Sequence, residues 1–475
     1  MKRTKIIATI GPASEDEKTL REMIRSGMNV ARLNFSHGSH EWHAKIIKTI
    51  RSLASEMKTS VGILADLQGP RVRVQTVEDI SVREGEEILV SDVSYKKSVA
   101  DFSSGIFYLD YPDIIKNIQK GDEILIEDGT IKIKIIKKER NLLRAEVVNG
   151  GVIKNHKGVN IPGAKLNLGS ITPKDKKDLE FALKHNVDFI ALSFVESAKD
   201  ILNLRKRIEK KQGKKKRCPQ IVAKIEKREA IKNLEEIVKA TDAVMVARGD
   251  LGIEMDENKV AVLQKKIIAG SLENLKPVIV ATQMLDSMIR NPRPTRAEVS
   301  DVSNAVIDHA DAVMLSGETA SGKYPVESVK TMSEIIEDTE ESPFDDIYKS
   351  LDFNISSEYA VIIRSAYELA KSFSAEAILM VSVSGFTAKL VSHFRPERKI
   401  LMATNSQKSF NQSSLVWGVS SYLFKPSDKL DGLIEKMIKK AKSDKNLKKG
   451  DKVVIILGKL PGGEKMRLVG VKTIA

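Results

Sequence analysis

Cysteine is nearly absent from this chain: Cys218 stands alone among 475 residues. That excludes an intramolecular disulfide and makes a reducing cytoplasm the expected setting. Aromatic side chains are scarce too, at 5%. None interleaves with the lysine-rich runs at 132–140, 210–217 and 436–449, so a stacking platform for single strands is excluded. Helix-turn-helix, zinc-finger and RNP signatures are missing. The net charge of +14 therefore reads as solvated helix ends and loops, and as a field that draws in small polyanions, with no nucleic-acid partner expected. No apolar run approaches the roughly 20 residues of a membrane span. The opening M-K-R-T-K lacks the apolar region and cleavage site of a signal peptide, so no membrane partner is expected either. A Gly-rich Walker loop and a kinase catalytic loop are absent. His37, His40 and His43 have no zinc spacing and read as surface or capping residues.

What is present is a series of short apolar runs that stop abruptly on charged chemistry. I-V-A-K-I-E ends at Glu226, and A-V-M-V-A-R-G-D ends at Asp250. Six more runs, at 5–11, 30–36, 61–69, 188–195, 277–284 and 312–319, have the same character. Continuous β-branched runs of this length read as strands buried on both faces of a parallel sheet. Amphipathic stretches such as Glu15–Ser26, Asp175–Asn186, Arg228–Ala240 and Arg296–His309 follow most of them. Eight βα units predict a closed TIM barrel, (β/α)8, over residues 1–70 and 157–340. The third unit lacks its helix. In its place 71–156, rich in Val, Ile and Thr with Gly-Asp, Asp-Gly and Asn-Gly turns, predicts an inserted small β-barrel domain. From 341 to 475 a second series, with strands at 377–383, 399–405, 419–425 and 452–458, predicts an open α/β domain.

The carboxyl ends of barrel strands are where such folds place their chemistry. There the sequence presents Thr9, then Arg32, Asn34 and Ser36, then Asp66, then Lys224 and Glu226, then Gly249 and Asp250, then Thr282, and finally Ser316 and Glu318. Arg32, Asn34 and Ser36 share one face, as do Lys224 and Glu226, because side chains repeat every two residues along a strand. Two carboxylates beside a lysine and arginines suit a hard divalent cation next to developing negative charge. Phosphoryl transfer needs that combination of positioning and charge neutralisation. Two other readings fit part of the pattern. A barrel working on carbon–carbon bonds through a metal-held enolate would share Glu226 and Asp250 but would not need Lys224, Arg32 or the insertion. A basic binding protein that lost its chemistry would not need to keep Lys224, Glu226, Asp250 and Thr282.

The motifs T-I-G-P-A-S (9–14), V-A-R-L-N-F-S-H-G (30–38), K-G-V-N-I-P-G (157–163), A-K-I-E (223–226), V-A-R-G-D-L-G (246–252), A-T-Q-M-L (281–285) and M-L-S-G-E-T-A (314–320) resemble those of pyruvate kinases, in order and across the whole chain. The resemblance implies phosphoryl transfer from phosphoenolpyruvate to ADP, giving ATP and pyruvate. By that likeness Glu226 and Asp250 hold Mg2+ or Mn2+, Lys224 reaches the transferring phosphoryl and the enolate oxygen, and Arg32 grips the phosphoryl group. Backbone N–H groups at Gly249 and Asp250 would hold the substrate carboxylate. Thr282 would either deliver a proton to the enolate or order the water that does. Asn34, His37, Arg73 and Lys157 correspond to the nucleotide-phosphate contacts. Asn34, Ser36, Asp66 and Leu67 correspond to a monovalent-cation cluster. Where K+-requiring members carry a glutamate, this chain has Arg71, and a guanidinium beside Asp66 would replace K+; activity without K+ is expected. S-G-F-T-A (384–388) is either a plain turn or a phosphate cradle for a sugar phosphate or nucleoside monophosphate at Ser384, Gly385 and Thr387. The resemblance also implies a homotetramer.

Overall fold

The eight apolar runs form eight parallel strands: β1 (Lys5–Thr9), β2 (Met28–Asn34), β3 (Gly62–Asp66), β4 (Phe189–Leu192), β5 (Gln220–Ile225), β6 (Ala243–Ala247), β7 (Val278–Ala281) and β8 (Ala312–Leu315). They pair in chain order, and β8 closes on β1. The computed structural model describes residues 2–95, 105–127, 129–164, 169–213, 217–346, 358–425, 432–457 and 468–475. Residues 214–216 of the 210–217 basic run and Gly458 of the last predicted strand lie outside these.

Strand alternation builds the barrel in two shells. Ile7, Val30, Leu64, Val222, Met245, Ile279 and Met314 fill the interior. Their neighbours Ile6, Ala31, Ile63, Ile221, Val244, Val280 and Val313 pack outward against the helices. Two residues beyond the plug, the inward face turns polar. Thr9 follows Ile7, Arg32 follows Val30, Asp66 follows Leu64, Ser193 follows Ala191, and Lys224 follows Val222. The site is therefore the next layer of the same stack.

At the opposite end a fourfold device sets the strand register. Asn29, the second residue of β2, and Asp188, Asp242 and Asp311, each just before β4, β6 and β8, mark the starts of the even-numbered strands. Their side chains accept the backbone N–H of Ile6, Ile63, Ile221 and Val278 on the odd-numbered neighbours, at 2.9, 2.9, 2.8 and 3.0 Å. The carboxyl-terminal domain docks on this end with cations of its own. Arg395 forks onto Asp311 at 3.0 and 3.1 Å, Lys389 donates to Asp242 O at 3.2 Å, and Lys408 bonds Val187 O beside Asp188. Burial pulls Lys389 and Lys408 down to about 8. Lys5, at the start of β1, donates back to Val419 O at 2.9 Å.

Two elements depart from the predicted ones. The stretch 228–240 is two helices, Arg228–Lys232 and Leu234–Ala240, meeting at Asn233, whose side chain donates to Glu196 O at 2.8 Å. The carboxyl-terminal sheet has five strands, the fifth being Leu468–Thr473, antiparallel to Lys452–Leu457. It is a mostly exposed edge strand with Gly470 inside it, so it lacks the apolar run that marks the buried ones. The insertion closes as a seven-stranded barrel. In its strand Ile131–Glu139, buried Ile131, Ile133 and Ile135 alternate with lysines on the outer face. Its strand Gly158–Asn160 pairs with Val72–Gln75, just past the residue 156 at which the sequence pattern ended the insertion.

Candidate active site

The polar layer at the barrel mouth is a connected row. Arg32 donates through Nε to Asp66 Oδ2 at 2.8 Å and through Nη1 to Thr9 Oγ1 at 2.9 Å. The other Asp66 oxygen faces Lys224 Nζ at 3.6 Å. Lys224 in turn pairs with Glu226 Oε1 at 2.7 Å and donates to Ser193 Oγ at 2.8 Å. Glu226 Oε2 accepts the Phe194 N–H at 2.6 Å. Strand alternation thus brings together Arg32, Asp66, Lys224 and Glu226 as expected, and adds Ser193 and Phe194, which carried no signal in the sequence.

Each charge in the row is set by its neighbours. Burial pushes the Glu226 carboxyl up to about 7; Lys224 opposes this, and Asp250 adds to it. Lys224 suffers the same desolvation, yet Asp66, Glu226 and Asp250 together hold its ammonium above the ordinary lysine value. Asp66 is desolvated as well, but Lys224 and Arg32 hold it below the usual carboxylate range. The chemistry of the donor set tests its fit to a metal ion. Glu226 Oε1 is buried and receives no well-directed hydrogen bond, its contact with Lys224 being an ion pair. An unsaturated hard oxygen next to a second carboxylate suits Mg2+ or Mn2+. Among the described residues no three His, Cys, Asp or Glu side chains cluster as a closed metal site.

Asp250 and Thr282 form the adjoining wall. Helix Arg248–Glu254 starts directly after β6 and carries Asp250 in its first turn. Thr282 and Gln283 adopt φ of 71 and 54, a left-handed conformation that a β-branched threonine rarely adopts. Arg248 holds them there, donating to Thr282 O at 2.7 Å and Gln283 O at 3.1 Å while pairing with Asp301 at 2.7 Å. The Gly249 N–H is already bonded to Thr282 Oγ1 at 2.9 Å, so a ligand carboxylate at Gly249 competes with that hydroxyl. Buried Glu318 accepts the Leu285 N–H at 3.0 Å and the Ser316 N–H at 2.7 Å, bracing the loop after β7. A cleft of about 860 Å3, lined by Gly249, Asp250, Gln283 and Arg71, opens beside this wall.

Other sequence candidates fall elsewhere. The charges acting on Asp66 are Lys224 and the guanidinium of Arg32. Arg71 instead lies across Gly158 of the insertion, with Nη2 2.9 Å from where a Cβ on that glycine would stand. Among the residues expected to form a monovalent-cation cluster, Asn34 Oδ1 accepts the Ser36 N–H at 3.1 Å and Leu67 O accepts the Ser193 hydroxyl at 2.8 Å. Arg73 and Lys157 sit together on the insertion, Arg73 donating to His156 O and Lys157 pairing with Glu127. Asn34 and exposed His37 remain on the barrel. No hydrogen bond or ion pair joins the two pairs among the described residues.

His37 is exposed as expected, whereas His43 is buried and His40 is partly covered. His43 is 1% exposed, packs on Phe35 at 4.3 Å and bonds His37 O at 3.0 Å. His40 pairs with Asp178 at 2.7 Å. Ser39 caps helix His40–Glu56, whose first turn carries the His43 ring into the core and leaves His40 partly exposed beside Asp178. In the carboxyl-terminal domain Gly385, at φ 76, opens helix Phe386–His393, and Thr387 is buried.

A model of the pyruvate kinase barrel domain matches residues 1–329, and one of the pyruvate kinase alpha/beta domain matches residues 360–467. The chain belongs to the pyruvate kinase family. It is 41% identical over 474 residues to a pyruvate kinase of Staphylococcus epidermidis, an alignment covering 98% of this chain and 79% of the relative. It is 40% identical to a pyruvate kinase of Staphylococcus aureus, covering 99% and 81%. The crystal structure of a pyruvate kinase from Cryptosporidium parvum superposes with a TM-score of 0.90 at 33% identity, over 100% of this chain and 96% of that one.

Proposed function

We propose that this pyruvate kinase family member transfers the phosphoryl group of phosphoenolpyruvate to ADP, the last step of glycolysis, in the cytoplasm. The observation that carries the reading is the buried row Arg32–Asp66–Lys224–Glu226 next to Asp250. Fixed cations alternate there with metal-type carboxylates in a water-poor mouth, and phosphoryl transfer depends on that arrangement.

In this reading the bond from phosphorus to the enolate oxygen breaks while an ADP phosphate oxygen takes the phosphorus. Arg32, held by Asp66 and Thr9, steadies the phosphoryl group. Lys224 offsets the charge that grows on the enolate oxygen. Gly249 and Asp250 orient the substrate carboxylate. Thr282 either gives the enolate carbon its proton or orders the water that does. Glu226 and Asp250 hold Mg2+ or Mn2+, which when bound supplies Lewis acidity toward the substrate's oxygens. Asn34 and His37 on the barrel, with Arg73 and Lys157 on the insertion, take the phosphates of ADP, so the nucleotide joins two pairs that do not otherwise touch. Closure of the insertion excludes water.

We further propose that turnover does not require K+. Three of the four cluster oxygens already have donors of the protein's own: Ser36 N–H on Asn34, Arg32 on Asp66, and Ser193 on Leu67. A homotetramer with a phosphorylated effector at Ser384, Gly385 and Thr387 completes the reading. The test is pyruvate formation from phosphoenolpyruvate, ADP and Mg2+ with tetramethylammonium as the sole monovalent cation. Turnover is expected there, and no pyruvate under any ionic condition refutes the function. Strong activation by KCl at constant ionic strength refutes the K+ proposal alone.

A further inference from the structure

We infer that Ser193 is a positioning residue for Lys224, the neutral anchor that aims its ammonium without spending its charge. The inference rests on the phosphoryl-transfer reading above.

An ammonium has three N–H donors. At Lys224, Ser193 Oγ accepts a hydrogen bond at 2.8 Å, while Glu226 Oε1 at 2.7 Å and Asp66 Oδ1 at 3.6 Å are ion-pair contacts. Two of the three partners are carboxylates, and a carboxylate that fixes an ammonium also cancels it. Ser193 fixes it by a dipole. Its single proton is committed to the Leu67 carbonyl at 2.8 Å, so the oxygen turned toward Lys224 can act only as an acceptor. Ser193 is 2% exposed, and no solvent rotamer competes with that arrangement.

The end of β4 is shaped for this contact. Just past β4, the Ser193 hydroxyl and the Phe194 backbone N–H address the same Lys224–Glu226 pair. Phe194 adopts φ 55, a strained left-handed conformation for a bulky residue. That bend turns its N–H onto Glu226 Oε2 at 2.6 Å while the Ser193 hydroxyl meets Lys224. Gly69 closes over the bend. Its φ is 70, and a Cβ there would stand 2.9 Å from the Phe194 ring and 3.1 Å from Ser193 Cβ, so only glycine lets the loop after β3 lock it. Were Glu226 to give its oxygen to a metal ion, Ser193 would be the close partner still holding Lys224.

Losing an acceptor from a charged donor predicts that Ser193→Ala lowers kcat by about 10- to 100-fold, with the KM for phosphoenolpyruvate within about threefold. Ser193→Cys, which keeps the volume, should behave like the alanine variant and decides the matter if that variant does not fold. Ser193→Thr, which restores the hydroxyl, should recover most of the turnover. In a crystal structure of the alanine variant, Lys224 Nζ should be displaced from its present position. Unchanged kcat in the alanine and cysteine variants overturns the inference. So does a loss confined to KM, or a threonine variant as slow as alanine with an unaltered thermal midpoint. An unaltered chain that makes no pyruvate overturns both this inference and the function it rests on, whereas normal turnover with an indifferent Ser193→Ala overturns this one alone.

Discussion

Replacing Lys224 with methionine keeps a long side chain in the barrel mouth and removes one buried charge. A unit charge about 4 Å from developing negative charge, at an effective dielectric near 20, is worth about 4 kcal/mol. The expected fall in kcat is therefore roughly a thousandfold. The change in KM for phosphoenolpyruvate should be much smaller, because the charge acts on the transition state more than on the bound substrate. The structure adds a second sign. Lys224 pairs with Glu226 Oε1 at 2.7 Å, the oxygen that a metal ion would need, so ammonium and metal ion compete for it. Lys224→Met should thus bind Mg2+ more tightly in a calorimetric titration, while Glu226→Ala and Asp250→Ala should bind it less tightly and lose rate as well. Asp66 keeps Arg32 at 2.7 Å in the variant, so the fold is expected to survive. A coupled assay with lactate dehydrogenase reads turnover, and circular dichroism checks folding. A kcat within tenfold of the unaltered protein, or weakened Mg2+ binding, would refute the reasoning.

Two further predictions concern the other end of the barrel and the carboxyl-terminal domain. Asp311→Ala strands the buried Arg395 and removes the acceptor of the Val278 N–H; unfolding in urea should show a loss of about 3–5 kcal/mol, reduced when Arg395→Met is added, and a double variant no better than the single refutes the pairing. His393 is held down to about 3 from 6.5, chiefly by burial and then by Arg395. Both folded and unfolded states are neutral above pH 6.5. As pH falls from 6.5 toward 3 only the unfolded chain takes up the proton, so stability drops by about 1.4 kcal/mol per pH unit in that window. Unfolding followed by fluorescence of buried Trp417 should show this slope, and His393→Gln should flatten it; an identical slope in the variant assigns the effect elsewhere.

The sequence by itself determined the barrel and the centre of its site, for one physical reason. Parallel strands are covered on both faces, so they must be written as continuous apolar runs, and the charge that ends each run must lie at the mouth. Spacing of two between Lys224 and Glu226 puts both on the same face of the strand. Local chemistry of this kind cannot report partners that arrive from other strands. Ser193 is one hydroxyl inside an apolar run, and only the pairing of β4 with β5 sets it 2.8 Å from Lys224. The Asn29, Asp188, Asp242 and Asp311 locks look like ordinary turn residues until their acceptors meet the neighbouring strands. Arg71 reads as a neighbour of Asp66 along the chain, but the path of the backbone into the insertion lays its guanidinium on Gly158. The edge strand Leu468–Thr473 is buried on neither face, so its sequence had no apolar run to show. What lies within a strand is legible because the period is fixed by the backbone; what lies between strands was decided by barrel closure and by the docking of the other two domains.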